Sequence, residues 1–482
     1  MNSSLIQKTI GLMLIIFSMT LFIPLIISVL YVDQNIATFI YSIIISFLIG
    51  SILFFPNYKT TNLSEIKIKE GFLIVVSFWV SLSLFGSLPF IFDKDLSMGF
   101  TNAFFESVSG WTTTGATVIT DLDNLSPSIL MYRQLLQWFG GMGIVVLALA
   151  VLPMLGVGGM QLYKAESSGP IKDNKISPRI AETAQNLWKV YLGLTVLCGV
   201  SYYAAGMDIF DAFAHSFSTI AIGGFSTHSD SIAYFNNPVI EVVCIVFMFL
   251  SSLNFILHFF SLKNRNLNVY TSDIESKSNF IIIISSCLIL ITYLFVSSED
   301  NIYYSDLIFQ VVSFATTSGF TSTSYDQWPA IIITSLLFLS FIGACAGSTG
   351  GGIKVIRVLL ILKQLRREIM KIIHPSAEVS LKINQQTITD DVISKVTVFF
   401  IFYFVSYFVL SILLLFSGLD ATTAFSSVAS CLNNLGPGAG LVVDNYNSIN
   451  MFSKYVLTFT MILGRLEIYT LVIVLTPYFW KY

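Results

Sequence analysis

The chain has 482 residues, of which 55% are apolar and only 11% are charged. Soluble domains carry about 25% charged residues, so this composition excludes an ordinary soluble protein and indicates an integral membrane protein. The net charge of −3 gives no indication of a nucleic-acid partner.

Ten apolar segments follow one another along the chain, each long enough to cross ~30 Å of hydrocarbon. They are residues 10–32, 36–55, 71–92, 128–155, 185–205, 237–262, 279–297, 328–365, 392–417 and 449–478. The first is too long for a signal-peptide core and lacks a cleavage pattern, which predicts a retained helix. The segment 328–365 is too long for one span and carries GACAGSTGGG in its middle, which predicts a break.

Lysine and arginine are concentrated in three loops, at residues 156–184, 263–278 and 363–391. The opposite loops carry acidic residues, with Lys94 as the main basic exception. Because basic loops stay in the cytoplasm, we predict a multi-pass membrane protein with both termini cytoplasmic.

Four shorter amphipathic segments lie between the long ones, and each ends in a stretch of small residues. They are FFESVSGWTTTGATV, AFAHSFSTIAIGGFST, IFQVVSFATTSGFTS and AFSSVASCLNNLGPGAG, and they align on Gly115, Gly224, Gly319 and Gly436. About 10 residues precede each glycine, enough for a short helix but not for a membrane span. We therefore predict a two-helix extension and four repeats, at residues 1–70, 71–160, 185–265, 279–370 (with a broken second helix) and 392–482.

All four turns fall on the predicted extracellular side, so the repeats are parallel, whereas an inverted-repeat transporter would place alternate copies on opposite sides. Non-helical backbone at membrane depth is tolerated only where protein buries it or where it lines a water-filled path. Four copies around one axis could replace the water shell of an ion with backbone carbonyls, and the C-terminal ends of the short helices favour a cation. The pattern predicts a cation pore; the alternative is that each turn is only a connection between helices.

The segments TTTGATV, AIGGFST, ATTSGFTS and NNLGPG resemble the four selectivity-filter segments of the Trk/Ktr/HKT superfamily of potassium transporters. KDNKISPRIAETAQNLW, AGSTGGGIKVIR and GRLEIYTL are similar to further segments of its TrkH branch. The resemblance covers almost the whole chain. It implies an all-α integral membrane fold with ten transmembrane helices, four re-entrant pore half-helices in a pseudo-fourfold arrangement and an N-terminal helix pair.

The resemblance also implies potassium uptake across the bacterial inner membrane, with the potassium ion as cargo and no organic cofactor in this chain. Family members with serine at the first filter glycine tend to pass sodium, so Gly115 favours potassium. The fourth filter departs from the threonine-rich pattern, but in the family's own way. The implied potassium ligands are backbone carbonyls of Thr113, Thr114, Gly115, Ile222, Gly223, Gly224, Thr317, Ser318, Gly319, Asn434, Leu435 and Gly436.

Arg465 lies in an apolar segment, where a cation is costly and is a candidate for function. Below a cation filter it would act as an electrostatic barrier, the role that the resemblance gives to a matching arginine; the alternative is a structural ion pair with Glu467. The nearby glycine run lacks the GxxxxGK[ST] spacing of a phosphate-binding loop, which favours a mobile break that obstructs the pore. The candidate gate residues are Gly347, Ser348, Thr349, Gly350, Gly351, Gly352, Lys354 and Arg465.

The resemblance implies a homodimer with one pore per chain and a separate, TrkA-like cytoplasmic regulatory subunit that binds nucleotide. The basic run 363–371 is typical of a helix end near anionic membrane lipid. The alternative function is a secondary carrier that couples another small solute to sodium or protons. A membrane enzyme is disfavoured because the chain has no HExxH or GxSxG motif.

Overall fold

The computed structural model of the protein describes residues 3–58, 68–151, 180–297, 302–377, 379–384 and 386–481. Within these residues the fold is helical, with one antiparallel hairpin of β1 (Lys382–Ile383) and β2 (Gln386–Thr387), in which Lys382 pairs with Thr387. The basic residues of the loop 156–184 all lie outside the described residues.

A pair of apolar helices begins the chain and packs against the helices that follow. The first member of the pair is divided into α1 (Ser3–Thr20) and α2 (Phe22–Leu30), and the second is α3 (Ile36–Phe54). The backbones of α1 and α3 approach closely, because a Cβ on Gly11 would lie only 2.6 Å from the Gly50 carbonyl oxygen. Directly before α3, Asn35 donates a hydrogen bond of 2.6 Å to Ser126. The extension is thereby fastened to the rest of the molecule.

The order of long helix, short buried helix and long helix recurs four times after the extension. The first group is α4 (Ile68–Gly86), α5 (Leu88–Phe92), α6 (Phe100–Trp111) and α7 (Pro127–Val151). The second is α8 (Ile180–Ala204), α9 (Ile209–Ala221), α10 (Pro238–Ser251) and α11 (Phe255–Asn264), followed by α12 (Asn268–Ser272). The third is α13 (Ile274–Ser297), α14 (Tyr304–Thr316), α15 (Ala330–Ile342) and α16 (Val355–Ile373). The fourth is α17 (Asp390–Phe416), α18 (Ala421–Asn433), α19 (Met451–Arg465), α20 (Tyr469–Leu475) and α21 (Pro477–Lys481).

By length and hydropathy, five helical segments of the described chain could each cross a membrane, or seven if two bent pairs each count as one span. The five are Ser3–Leu30, Ile36–Asn57, Lys69–Phe92, Ile274–Ser297 and Asp390–Phe416. The other spans expected from the sequence correspond to α7, α8 and the pair α15 and α16. The total of ten stays a prediction.

The apolar segment 449–478 is not one continuous helix. The chain bends by 116° between α19 and α20, and Arg465 is the last residue of α19 rather than an interior one. The bend follows from two residues with positive φ, Glu467 at 53° and Ile468 at 60°. Ile468 N then donates to the Leu463 carbonyl at 3.0 Å and closes the helix end.

The apolar segment 237–262 is also divided into two helices, and the chain bends by 94° between α10 and α11. Asn254 caps the new helix, since its Oδ1 accepts from Ile256 N at 2.9 Å. Between α15 and α16 the chain forms an irregular segment, residues 343–354, which we call the glycine loop.

Candidate functional site

The four short helices α6, α9, α14 and α18 are followed by the same backbone conformation. Thr113, Ile222, Thr317 and Asn434 have left-handed φ values of 52°, 53°, 63° and 52°. Two residues later, Gly115, Gly224, Gly319 and Gly436 have φ values of 82°, 79°, 80° and 103°. A non-glycine residue at positive φ is uncommon, so four matching pairs show one local structure used four times. We call these segments turn 1 (113–115), turn 2 (222–224), turn 3 (317–319) and turn 4 (434–436).

One backbone hydrogen bond ties the middle residue of each turn to its own short helix. The four N–H···O distances are 2.9, 2.9, 2.8 and 2.8 Å, and the bonds have the spacing of a Schellman cap. The acceptor is always the carbonyl of a serine: Ser109, Ser218, Ser313 and Ser430. The alignment on glycine alone missed this recurrent serine, which the sequence carries at the same distance from each aligned glycine.

The turns contact one another in a closed ring. A Cβ placed on each aligned glycine would lie within 2.6 Å of a carbonyl oxygen of the next turn, closer than real Cβ contacts allow. The distances are 2.2 Å from Gly115 to Gly223, 2.3 Å from Gly224 to Ser318, 1.9 Å from Gly319 to Leu435 and 2.6 Å from Gly436 to Thr114. Only glycine permits this approach, and the ring brings together the turns that carry all twelve predicted ligand residues.

Side chains from other elements support individual carbonyls of the ring. Gln137 of α7 donates to the Gly223 carbonyl oxygen at 2.6 Å and accepts from Phe225 N at 3.0 Å. Tyr446 donates to the Gly436 carbonyl oxygen at 2.8 Å. Because a carbonyl oxygen has two lone pairs, each of these two oxygens keeps one for another partner. Neither Gln137 nor Tyr446 was predicted from the sequence to support the ring.

A buried ion pair joins the segments that follow turns 1 and 2. Arg133 Nε lies 2.9 Å from Glu106 Oε1, and the two side chains are 1% and 0% exposed. Glu106 also accepts from Val118 N at 2.9 Å, whereas Arg133 donates to the Ser226 carbonyl at 2.9 Å. The Arg133 guanidinium lies 4.1 Å from the centroid of the Phe225 ring. The pair therefore braces two neighbouring turns from outside the ring.

We expect Arg133→Met to lower the free energy of unfolding by about 3–5 kcal/mol, since it leaves the Glu106 carboxylate buried without its cation. The double variant Arg133→Met with Glu106→Gln should recover part of that loss. Chemical denaturation of the purified protein in detergent measures both. Lys395→Met is the control, because its ion pair with Asp391 is at the surface, with both side chains 70% exposed, and its loss should leave unfolding unchanged. Equal stability of all these variants would contradict a bracing role for Arg133.

The glycine loop lies against the ends of three short helices. Thr349 Oγ1 donates to the Ile220 carbonyl at 2.9 Å, and Gly351 N donates to Thr317 Oγ1 at 2.7 Å. Gly352 N donates to the Asn433 carbonyl at 3.1 Å. A Cβ on Gly351 would lie 1.8 Å from the same Asn433 oxygen, so the loop is packed tightly there. The loop thus reaches the helix ends that lead into turns 2, 3 and 4.

Arg465 connects the glycine loop to the remaining turn. Its Nη1 donates to Thr113 Oγ1 at 3.2 Å and to the Thr349 carbonyl at 3.1 Å. Its Nη2 donates to the carbonyls of Gly140 and Gly141 in α7 at 2.5 and 3.0 Å.

The other candidate gate residues lie in the loop itself. Lys354 donates to the Gly350 carbonyl, and Gly347 accepts from Phe255 N at 3.1 Å. Ser348 donates to the Cys345 carbonyl at 2.6 Å. Glu467, the partner proposed for Arg465 in the alternative interpretation, forms an ion pair with Arg357.

A histidine fastens two loops on the opposite side of the turns from the glycine loop. His228 Nδ1 lies 2.6 Å from Asp123 Oδ1, and His228 Nε2 lies 3.1 Å from Asp211 Oδ2. Partial burial alone lowers the pKa of His228, but the hydrogen bonds and charges of the two aspartates outweigh it and raise this pKa above its usual value. His228 therefore keeps its positive charge to higher pH than a free imidazole does.

Known proteins are similar to this chain over its whole length. The family model of TrkH, a cation transport protein, matches residues 35–482. The chain is 47% identical over 485 residues to the Trk system potassium uptake protein TrkH of Escherichia coli (strain K12), with 100% of both chains covered. It is 38% identical over 478 residues to TrkG of the same bacterium, which covers 98% of this chain and 97% of that protein.

A solved structure is similar as well. The crystal structure of the potassium transporter TrkH from Vibrio parahaemolyticus matches with a TM-score of 0.90 and 43% identity, and 100% of both chains is covered. The fold and these matches place the chain among helical membrane proteins that transport cations, and not among enzymes. The chain belongs to the TrkH family.

Proposed function

We propose that this protein takes up potassium across the cytoplasmic membrane of a bacterium through a pore lined by turns 1 to 4. The observation that carries the proposal is the closed ring, in which each turn contacts the next through a glycine and a carbonyl oxygen. The relatives named as potassium uptake proteins support potassium as the cargo.

The chemistry of the ring suits a dehydrated alkali cation. Backbone carbonyl oxygens can replace the hydration shell of such an ion, and the twelve predicted ligand residues would supply them. All four short helices direct their C-terminal, negative dipole ends toward the ring, which favours a cation over an anion. Gly115 keeps turn 1 free of a side chain, and we assign selectivity for potassium over sodium to this feature.

The topology belongs to the same proposal. Ten transmembrane helices with four re-entrant short helices in pseudo-fourfold order would place the ring at the centre of the membrane-spanning bundle. The basic residues of α16, such as Arg366 and Lys371, would then face the cytoplasm, as would both termini. Four parallel repeats give an axis along the membrane normal, which the carrier alternative with inverted repeats does not share.

The glycine loop and Arg465 form the gate in this proposal. The loop touches the helix ends that lead into three turns, and Arg465 bridges the loop to the fourth. An ion leaving the ring on this side would meet the loop backbone and a guanidinium, both of which oppose its passage. Opening requires that the loop and Arg465 move away together, because they are hydrogen-bonded to each other.

We further propose that the chain works as a homodimer with a TrkA-like, nucleotide-binding regulatory subunit in the cytoplasm. The exposed, basic surface of α16 is the candidate contact for that subunit or for anionic lipid. Because α16 begins directly after the glycine loop, a subunit that displaces α16 would pull on the gate.

Growth of a potassium-uptake-deficient bacterium at low potassium tests the function. The chain should restore growth, and purified protein in liposomes should pass potassium and rubidium in preference to sodium and lithium. An imposed proton gradient distinguishes passive flux from symport. Failure to restore growth despite expression, or flux of another solute coupled to sodium or protons, would favour the carrier alternative.

A further inference from the structure

One carboxylate holds both ends of the glycine loop. Glu275 lies in the first turn of α13, and its Oε1 accepts from Ala346 N at 2.8 Å and from Ile356 N at 3.0 Å. Ala346 comes directly before the glycine run, and Ile356 is the second residue of α16. Glu275 therefore closes the loop at its base, although it lies far from the loop in sequence.

The surroundings of Glu275 make these two bonds costly to break. The side chain is 7% exposed, so water can do little to replace the backbone donors. Lys354, which is 8% exposed and donates to the Gly350 carbonyl, adds a positive charge to the same loop. The closed loop is thus held by a buried acidic side chain through two backbone hydrogen bonds.

The start of α13 is in turn connected to the cytoplasmic hairpin. Asn384, between β1 and β2, donates to Asp273 Oδ1 at 2.8 Å and accepts from Ile274 N at 3.0 Å. Lys363 of α16 donates to the Lys382 carbonyl in β1 at 2.6 Å. The hairpin therefore contacts both α16 and the start of α13, which carries Glu275. A shift of the hairpin changes the distance between α16 and α13.

We propose that Glu275 is the positioning residue that holds the gate closed through its bonds to Ala346 and Ile356, which we call the clasp. The gate opens when α16 and the β1–β2 hairpin move away from α13. The inference rests on the proposed role of the glycine loop as the gate. It adds a specific point of control: Ala346 and Ile356 are released together, because they share one acceptor atom. The ion itself never contacts Glu275.

Potassium flux in liposomes without any regulatory subunit tests the clasp. Glu275→Ala should raise the basal flux by about tenfold or more, since both hydrogen bonds to the loop are lost and the two N–H groups are left buried without an acceptor. Glu275→Gln should give a smaller rise, because an amide oxygen still accepts from both N–H groups. Lys277→Gln is the matched control: it lies two residues away on the same helix, its side chain is exposed, and the substitution should leave flux unchanged.

A second readout reports the position of the loop independently of flux. Thr349 is 1% exposed, so Thr349→Cys should react with a maleimide only when the loop moves. The five native cysteines are all buried and are replaced beforehand. Adding Glu275→Ala should speed the reaction, and adding Lys277→Gln should not. If Glu275→Ala does not fold, Glu275→Gln carries both measurements.

The outcomes separate the clasp from the pore. Unchanged flux and unchanged labelling in folded Glu275→Ala and Glu275→Gln protein, with selective flux intact and Arg465→Ala leaky, would overturn the clasp alone. Faster labelling without a rise in flux would also overturn it, because the released loop would then not be a barrier. Loss of selectivity for potassium in the unmodified protein would instead refute the proposed function.

Discussion

Gly115→Ser is expected to lower the ratio of potassium to sodium flux by about tenfold, which corresponds to about 1.4 kcal/mol of discrimination. The residue has a φ of 82°, which is unfavourable for serine, and a Cβ there would lie 2.2 Å from the Gly223 carbonyl oxygen. Turn 1 or turn 2 must therefore shift to make room for the added Cβ. A displaced carbonyl no longer compensates potassium for its lost water, whereas smaller or partly hydrated ions tolerate a looser ring. Liposome flux with paired potassium and sodium gradients measures the ratio.

Gly193→Ser provides the matched control for this substitution. Gly193 lies on the exposed face of α8, and no atom lies within 4 Å of a Cβ placed on it. The variant should keep the flux ratio of the unmodified protein. Gly224→Ser and Gly319→Ser change equivalent positions of turns 2 and 3 and should behave like Gly115→Ser. An unchanged ion ratio in all three, with uptake intact, would contradict the assignment of the ring as the selectivity filter.

The positions of the turns could be predicted from the sequence because glycine is required there for two separate reasons. A positive φ and a contact with the next turn both exclude a Cβ, so the chain keeps a glycine in each of four otherwise different segments. Each glycine also follows a helix-length amphipathic stretch, which fixes its place at the end of a short helix. The sequence predicts that the four turns surround one axis, but not which carbonyl each glycine contacts, since contacts between segments a hundred or so residues apart leave no local pattern.

The bend after Arg465 was missed because no proline or glycine marks Glu467 and Ile468, the residues that adopt positive φ. Gly464 was the available signal: a Cβ there would lie 2.1 Å from the Leu432 carbonyl, so α19 must pack closely on α18 at this point. Tight packing of the helix end, rather than local preference, determines where it stops.

Arg133, Gln137 and Glu275 were missed for a different reason. Segments were identified by average hydropathy, and a single polar residue barely changes the average of a long apolar segment. The rule that an ionisable residue within a membrane segment is a functional candidate was applied to Arg465 but applies equally to Arg133. Glu275 lies at the start of its segment, where a carboxylate is usually solvated, so only the position of the glycine loop reveals its role.

Arg465→Ala is expected to raise the basal potassium flux of the unregulated protein by about tenfold or more, because a unit charge near the ion path is a barrier of several kcal/mol at low dielectric. The substitution also removes the bonds that tie Thr349 of the glycine loop to Thr113 of turn 1. Gly351→Ala should have the same effect by another route. Its Cβ would lie 1.8 Å from the Asn433 carbonyl oxygen, which forces the loop away from turn 4. Removal of residues 347–352 should give the largest leak of the three.

Arg366→Ala is the control for these gate variants, since Arg366 is an exposed arginine of α16 and should leave the basal flux unchanged. The ion ratio separates two ways in which a variant can leak. A gate that is opened below an intact ring passes more potassium while still excluding sodium, whereas a damaged ring passes both ions. We therefore expect Arg465→Ala and Gly351→Ala to keep the ratio that Gly115→Ser loses. A basal flux equal to that of the unmodified protein in both Arg465→Ala and the deletion variant would contradict the proposed gate. A raised flux that has lost its selectivity would show that the loop supports the filter rather than closing the pore.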